Sequence, residues 1–201
     1  MNFPAKPPLL ETARLRLRPY APADAPEVQR LAGDKAVAAT TAAMPHPYPD
    51  GAAETWIATH AAKWAAHEEM IHAITLKATG RLVGAIGLTF AEPHERAEMG
   101  YWVGQVFWNQ GYASEAGRAV IDCGFRTLGL VRIQAHHMAQ NLASGRVMEK
   151  AGMSREGYSP QALKKDGQFH DLVLYGVVRG DWPGLSETTP AVPGLSAKDL
   201  R

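Results

Sequence analysis

Glu98-Met99-Gly100-Tyr101-Trp102-Val103 leads through Gly104-Gln105-Val106-Phe107 into Trp108-Asn109-Gln110-Gly111-Tyr112-Ala113-Ser114-Glu115-Ala116. The opening residues read as a strand and the turn carries Gly111 and the small Ala113. A helix is predicted over 114–125, where Ala116, Val120 and Cys123 recur at helical spacing. A helix that leaves a turn so abruptly has several main-chain N–H groups without internal partners, and its positive dipole end adds to them. Small residues let an anion approach that main chain, so a diphosphate suits this stretch, although a plain turn before a helix shares the bare pattern. Gly-x-x-x-x-Gly-Lys and Gly-x-Gly-x-x-Gly are both absent, which removes the usual supports for nucleotide hydrolysis and hydride transfer.

Upstream, residues 12–18 alternate apolar with basic and stop at Pro19, the pattern of a half-exposed strand with arginines facing water. Asp24 is positioned to cap a helix carrying Val28 and Leu31 that Gly33 ends, and a second helix over 52–67 turns Trp56, Ile57 and Trp64 inward. Residues 70–76 and the apolar run 82–88 form a hairpin around Ala78-Thr79-Gly80, and 97–103 is the fourth strand. Downstream, 131–135 is strand-like, 142–150 is a helix closed by Gly152, and 169–178 is the last strand. Strands followed by two strand–helix alternations predict an α/β or α+β fold, a mixed sheet with helices on its faces, since a crossover helix makes the strands it links parallel.

Length and composition bound the rest. The 201 residues with 46% apolar content suit one domain over 1–184, and the Pro- and Gly-containing stretch 185–201 reads as a mobile tail. A net charge of +1, from 21 Lys+Arg against 20 Asp+Glu, lacks the basic footprint of a nucleic-acid binder. No apolar run reaches the roughly 18 to 20 residues that cross a bilayer, and the start has no secretion signal, so a soluble, cytoplasmic protein is expected. Cys123 is the single cysteine, which rules out an internal disulfide and argues for a small core residue. The scattered histidines have no ligand spacing, so no metal is expected, and neighbouring His136 and His137 point to opposite faces of their strand.

Residues 108–116 resemble the acetyl-CoA pyrophosphate loop of the GNAT acetyltransferase superfamily, Gln/Arg-x-x-Gly-x-Gly/Ala. Trp108 stands at the Gln/Arg position, an exchange shared with the branch of ribosomal-protein N-terminal acetyltransferases. Glu98 to Val103, Asn141-Leu142-Ala143-Ser144-Gly145-Arg146-Val147-Met148-Glu149-Lys150-Ala151-Gly152-Met153, Leu10 to Arg18 and Asp171 to Tyr175 fit that branch too, a resemblance over roughly 9–183. It implies a GNAT-like, mostly antiparallel sheet of six to seven strands with a splayed central parallel pair. It also implies acetyl-CoA as co-substrate, with Gln110, Gly111, Tyr112, Ala113 and Ser114 cradling the pyrophosphate. The pantetheine arm would pair with the strand edge near Trp102 and Val103, and Asn141 would bond that arm, unless it only caps the helix that follows.

Where many relatives carry a tyrosine as proton donor to the leaving thiolate, this chain has Met148. The resemblance therefore leaves Ser144 to steady the thiolate, with Tyr175 as the alternative. Glu98 shares a strand face with Gly100 and Trp102 and is the candidate general base, against a simple solvent-facing carboxylate. An α-amino group, pKa about 8, is neutral far more often at pH 7 than a lysine near 10.4, so it asks less of that base. The loop Met44-Pro45-His46-Pro47-Tyr48-Pro49-Asp50-Gly51 lies where the family builds its acceptor pocket. The expected activity is direct transfer of acetyl from acetyl-CoA to a primary amine, on a protein N-terminus or a small molecule. A non-catalytic acetyl-CoA sensor is the rival, and the chain is expected as a monomer or homodimer.

Overall fold

A computed structural model of the chain describes residues 1–185, so the stretch expected to be a mobile tail lies, from residue 186 on, outside the described residues. Eight strands form one sheet in the order β1-β2-β3-β4-β5-β6-β8-β7. They are β1 (Leu10–Glu11), β2 (Leu15–Arg18), β3 (Glu69–Leu76), β4 (Leu82–Ala91), β5 (Arg96–Val103), β6 (Arg132–Met138), β7 (Ser154–Lys165) and β8 (Gln168–Val178). The helices are α1 (Ala25–Ala32), α2 (Lys35–Thr40), α3 (Ala52–Ala65), α4 (Tyr112–Arg126) and α5 (Leu142–Lys150). None is long and apolar enough to cross a membrane among the described residues.

Two expectations need correction. The sheet has eight strands, not six to seven, because β1 and the polar β7 escape the periodicity rules. Only the first strand–helix alternation, β5-α4-β6, gives a parallel pair; after α5 the chain enters β7, and β8 returns to lie antiparallel beside β6. The six-residue α2 is also unforeseen, although Asp34 caps it by accepting from Ala36 N at 2.8 Å.

The sheet has helices on both sides. Leu88, Met99 and Ile133 point towards α4, where Gly124 and Gly117 admit their side chains. The other face is covered by α1 and α3, with Val28, Ala53 and Ile57 buried beneath them. Leu15 and Leu17 are fully buried while Arg16 faces water, as the alternation of β2 requires.

The parallel pair is short. β5 and β6 pair only through Arg96↔Arg132, Ala97↔Ile133 and Glu98↔Gln134. Beyond that point β5 keeps its bonds to β4 through Val103, β6 keeps its own to β8 through Met138, and the two diverge. The divergence leaves one unpaired strand edge on each side in the middle of the molecule.

Candidate active site

The turn before α4 is built as the residue order suggests. Gly111 takes the left-handed conformation, φ 79°, at the N-cap of α4, a conformation that a side chain disfavours. Glu115 N donates to Gly111 O at 3.1 Å as the first bond of the helix. The main-chain N–H groups of Gln110, Gly111, Tyr112, Ala113 and Ser114 have no partner among the described residues and gather at the positive end of a helix of 15 residues.

Four side chains lock this loop in place. Trp108 Nε1 donates to Val103 O at 2.7 Å, tying the loop to the end of β5. Arg14 donates to Glu115 at 2.7 Å and to Gln110 O at 2.9 Å, and its guanidinium lies 4.7 Å over the Tyr112 ring. Glu115 also accepts from Thr12 Oγ1 at 2.6 Å and from Arg14 N at 2.9 Å. Alternation alone makes Arg14 a water-facing strand arginine. Its role depends on the chain bending between β1 and β2, which alternation does not show.

Two cavities meet at the divergence of β5 and β6. The smaller, about 260 Å³, is lined by the loop residues Gly111 to Ser114, by Trp102 and Val103, and by Asn141 and Ser144 from α5. Gln110 lies outside that lining and its amide donates to Val106 O at 3.2 Å. Exposed Arg146 and Lys150 bring two cations to the same cavity. Gly104 N donates to Val83 O, so along β5 the main-chain groups of Trp102 face β4. Alternation then turns those of Tyr101 and Val103 to the open edge. Of these, Val103 O is already held by Trp108.

The second cavity, about 570 Å³, opens on the other side of the gap between α1, α3 and the segment that follows α2. Trp56, Glu98, Trp102 and His136 line it, and Thr40, Thr41, Tyr101, Trp102 and Ser144 line both cavities. Glu98 is the only carboxylate in its lining, and no Lys or Arg lines it among the described residues. Glu98 Oε1 lies 3.3 Å from His136 Nδ1, and Oε2 accepts from Gln134 at 3.2 Å. The His136 bond, working against burial, holds the Glu98 carboxyl below the ordinary glutamate range, and the same bond raises His136 above the usual imidazole value. Strand alternation allows only one of the two adjacent histidines to reach a cleft on one face, whereas both His137 and His136 line this cavity, which opens through the gap between β5 and β6, and it is His136 that lies beside Glu98. Its pairing with Glu98 arises from the parallel register, which no local pattern encodes.

The remaining candidates divide. Ser144 Oγ lies 2.6 Å from the Tyr101 hydroxyl, which burial pushes up to about 12 and so keeps protonated. Asn141 caps α5, accepting from Ser144 N at 3.2 Å, and donates to Thr40 O at 3.2 Å, so both ends of its amide are engaged. Tyr175 lines neither cavity, and its hydroxyl donates to Glu149 at 3.0 Å behind α5. The phenol that meets Ser144 where the two cavities join is Tyr101, which alternation alone does not single out, although it does set Tyr101 and Glu98 on opposite faces of β5.

The arrangement suits a long anionic thioester: bare N–H groups for a diphosphate, an open strand edge for an amide-bearing arm, and a hydroxyl where the edge meets the second cavity. The model of the acetyltransferase (GNAT) domain family matches residues 14–154. YoaA of Bacillus subtilis, named as an uncharacterized N-acetyltransferase, is 32% identical over 182 residues, 86% of this chain and 97% of that protein. The ribosomal protein uS5-alanine N-acetyltransferase of Escherichia coli is 38% identical over 87 residues, 43% of this chain and 45% of that protein. A GNAT-family acetyltransferase from Bacillus anthracis superposes with a TM-score of 0.78 at 25% identity, covering 86% of this chain and 99% of that one. The chain belongs to the GNAT acetyltransferase family and is an acetyl-CoA-dependent acyltransferase.

Proposed function

We propose that this enzyme transfers the acetyl group directly to the α-amino group of a peptide or protein whose first residues are small or apolar and uncharged. The observation that carries this is the charge inventory of the 570 Å³ cavity, a single carboxylate and no Lys or Arg in its lining. A polyamine would bring ammonium groups that one carboxylate cannot all match, and a free amino acid would bring a carboxylate with no cation to meet it. A peptide N-terminus brings one amine followed by neutral amides. The similar enzyme from Escherichia coli is named as an N-acetyltransferase of an alanine of ribosomal protein uS5.

In this reading the N–H groups of residues 110–114 take the diphosphate, Arg146 and Lys150 add positive charge beside it, and the main-chain N–H of Tyr101 or Val103 steadies the thioester oxygen. Glu98, held ionised by His136, attracts the ammonium form of the acceptor and takes its proton, directly or through a water. Nitrogen attacks the acetyl carbonyl, the carbon–sulfur bond breaks, Ser144 Oγ–H hydrogen-bonds the departing thiolate while Tyr101 orients it, and the thiolate takes up the second proton that the new amide nitrogen sheds.

The test is acceptor-dependent release of CoA thiol. A short peptide with a free N-terminal alanine or serine is expected to drive release. The same peptide with a blocked N-terminus, spermidine and free alanine are expected to leave the background rate unchanged. Faster release with spermidine or free alanine than with the peptide would overturn the acceptor assignment.

A further inference from the structure

The wall of the 570 Å³ cavity includes Thr40, Thr41, Met44, Pro45, Tyr48 and Pro49, yet this stretch is almost without main-chain support. From residue 42 to 48 no main-chain group bonds another main-chain group among the described residues. Side chains from three other elements hold it instead. Gln29 of α1 donates to Tyr48 O and Pro49 O, both at 3.2 Å. Asn141, at the cap of α5, donates to Thr40 O at 3.2 Å. Lys165, the last residue of β7, donates to Ala38 O at 2.5 Å, to Thr41 O at 2.6 Å and to Met44 O at 3.4 Å.

Lys165 is the only charged member of this set, and its ammonium has no carboxylate partner among the described residues. Its acceptors are carbonyls at the C-terminal end of α2 and in the turn beyond. There the helix's last carbonyls lack the usual partner four residues on, Ala38 O accepting only from Thr41 besides Lys165, and the dipole is negative, so a cation is a fitting counterpart. An ammonium with its donors directed at separate carbonyls fixes their relative positions, as a neutral side chain of that length cannot. Leu163, two residues earlier on β7, also lines the cavity, so the tip of the β7–β8 hairpin closes over the acceptor side of the molecule.

We infer that Lys165 is a positioning residue for the acceptor. By clamping the chain between Ala38 and Met44 it shapes the cavity that receives the amine; Thr40 and Thr41 also border the coenzyme cavity, but Lys165 bonds none of the loop residues 110–114. This rests on the reading that the larger cavity takes the acceptor. Removing the ammonium frees the wall to sample open forms, so acceptor affinity falls by the fraction of time the wall spends open.

The experiment compares wild type with Lys165→Met and Lys165→Arg, using the free-N-terminal peptide and acetyl-CoA. Lys165→Met is expected to raise KM for the peptide about tenfold, with kcat and the dissociation constant for acetyl-CoA within about twofold of wild type. Lys165→Arg, which retains charge and donors, is expected to recover part of the loss. Amide exchange is expected to quicken across residues 38–41, whose N–H groups are bonded, in Lys165→Met and to remain unchanged in α4 and β5. An unchanged KM for the peptide, or an equal loss of acetyl-CoA affinity, would overturn the assignment, and so would unchanged exchange across 38–41. If wild type acetylates no peptide, the acceptor reading fails, while the exchange comparison still decides whether Lys165 clamps the wall.

Discussion

Gly111→Val is expected to raise the dissociation constant for acetyl-CoA about a hundredfold while the enzyme remains folded. Gly111 sits at φ 79°, and the nearest outside atom to a side chain there would be a nitrogen of Arg14, 3.4 Å from the new Cβ. The cost is therefore conformational rather than a clash with the core. A β-branched residue in the left-handed region is disfavoured by roughly 1–2 kcal/mol, and the backbone relieves that strain by rotating. Rotation at residue 111 re-aims the N–H groups of Gly111 and Tyr112. Each hydrogen bond to a charged group contributes roughly 1.5–3 kcal/mol, so losing one or two of them reaches the hundredfold scale. Gly111→Ala is expected to fall between wild type and valine. Calorimetric titration on each variant, with thermal melts to verify folding, measures the effect, and wild-type affinity in Gly111→Val would show that the diphosphate does not use this loop.

Glu98→Gln is expected to lower kcat/KM for the acceptor by roughly a hundredfold or more, the usual scale for loss of a positioned general base. Glutamine keeps the shape and a donor and acceptor for Gln134 and His136, so a fall in rate reports the lost charge and proton acceptor. The sign of the pH effect follows from His136. Its hydrogen bond depresses the Glu98 pKa, so in wild type the carboxylate persists to lower pH than an ordinary glutamate and the acid limb lies low. His136→Asn removes the dominant cause of that depression, and the acid limb of the kcat/KM profile is expected to move to higher pH. A limb that stays in place in His136→Asn, or a Glu98→Gln enzyme with wild-type kcat/KM, would remove Glu98 from the proton-transfer role.

The parts of the fold legible in the sequence were those carried by strong local periodicity. The β3–β4 hairpin, the passage from β5 through Gly111 into α4, and α5 between Leu142 and Lys150 all lie where alternation, turn residues and caps place them. β7 was illegible by alternation because it is a mostly exposed edge strand, interrupted by register shifts between Arg155 and Gly157 and between Ser159 and Leu163. Such an edge carries little apolar patterning to read. Its one clear signal was Asp166-Gly167, which turns the hairpin with φ 49° and 80°, the dipeptide that favours a tight two-residue connection.

At the site the division is similar. Residues 111–114, Ser144 and Glu98, which line the two cavities, are readable as candidates because a contiguous motif or a strand face places them, whereas Gln110 of the same motif lies outside the lining. His136 against Glu98, Tyr101 against Ser144, Arg14 against the loop and Lys165 against α2 are pairings between segments distant in sequence. They depend on parallel register, on the bend before β2 and on the reach of the β7–β8 hairpin, and these are tertiary facts without a local signature.

The most direct measurement is residue-resolved amide hydrogen exchange with and without saturating acetyl-CoA. The expected result is slowed exchange at Gly111, Tyr112, Ala113 and Ser114, together with Tyr101 or Val103 on the open edge of β5, because those N–H groups gain acceptors only when the coenzyme lies in the gap. Unchanged exchange at these positions under saturating coenzyme, with protection appearing elsewhere, would contradict the placement of the donor between β5 and β6.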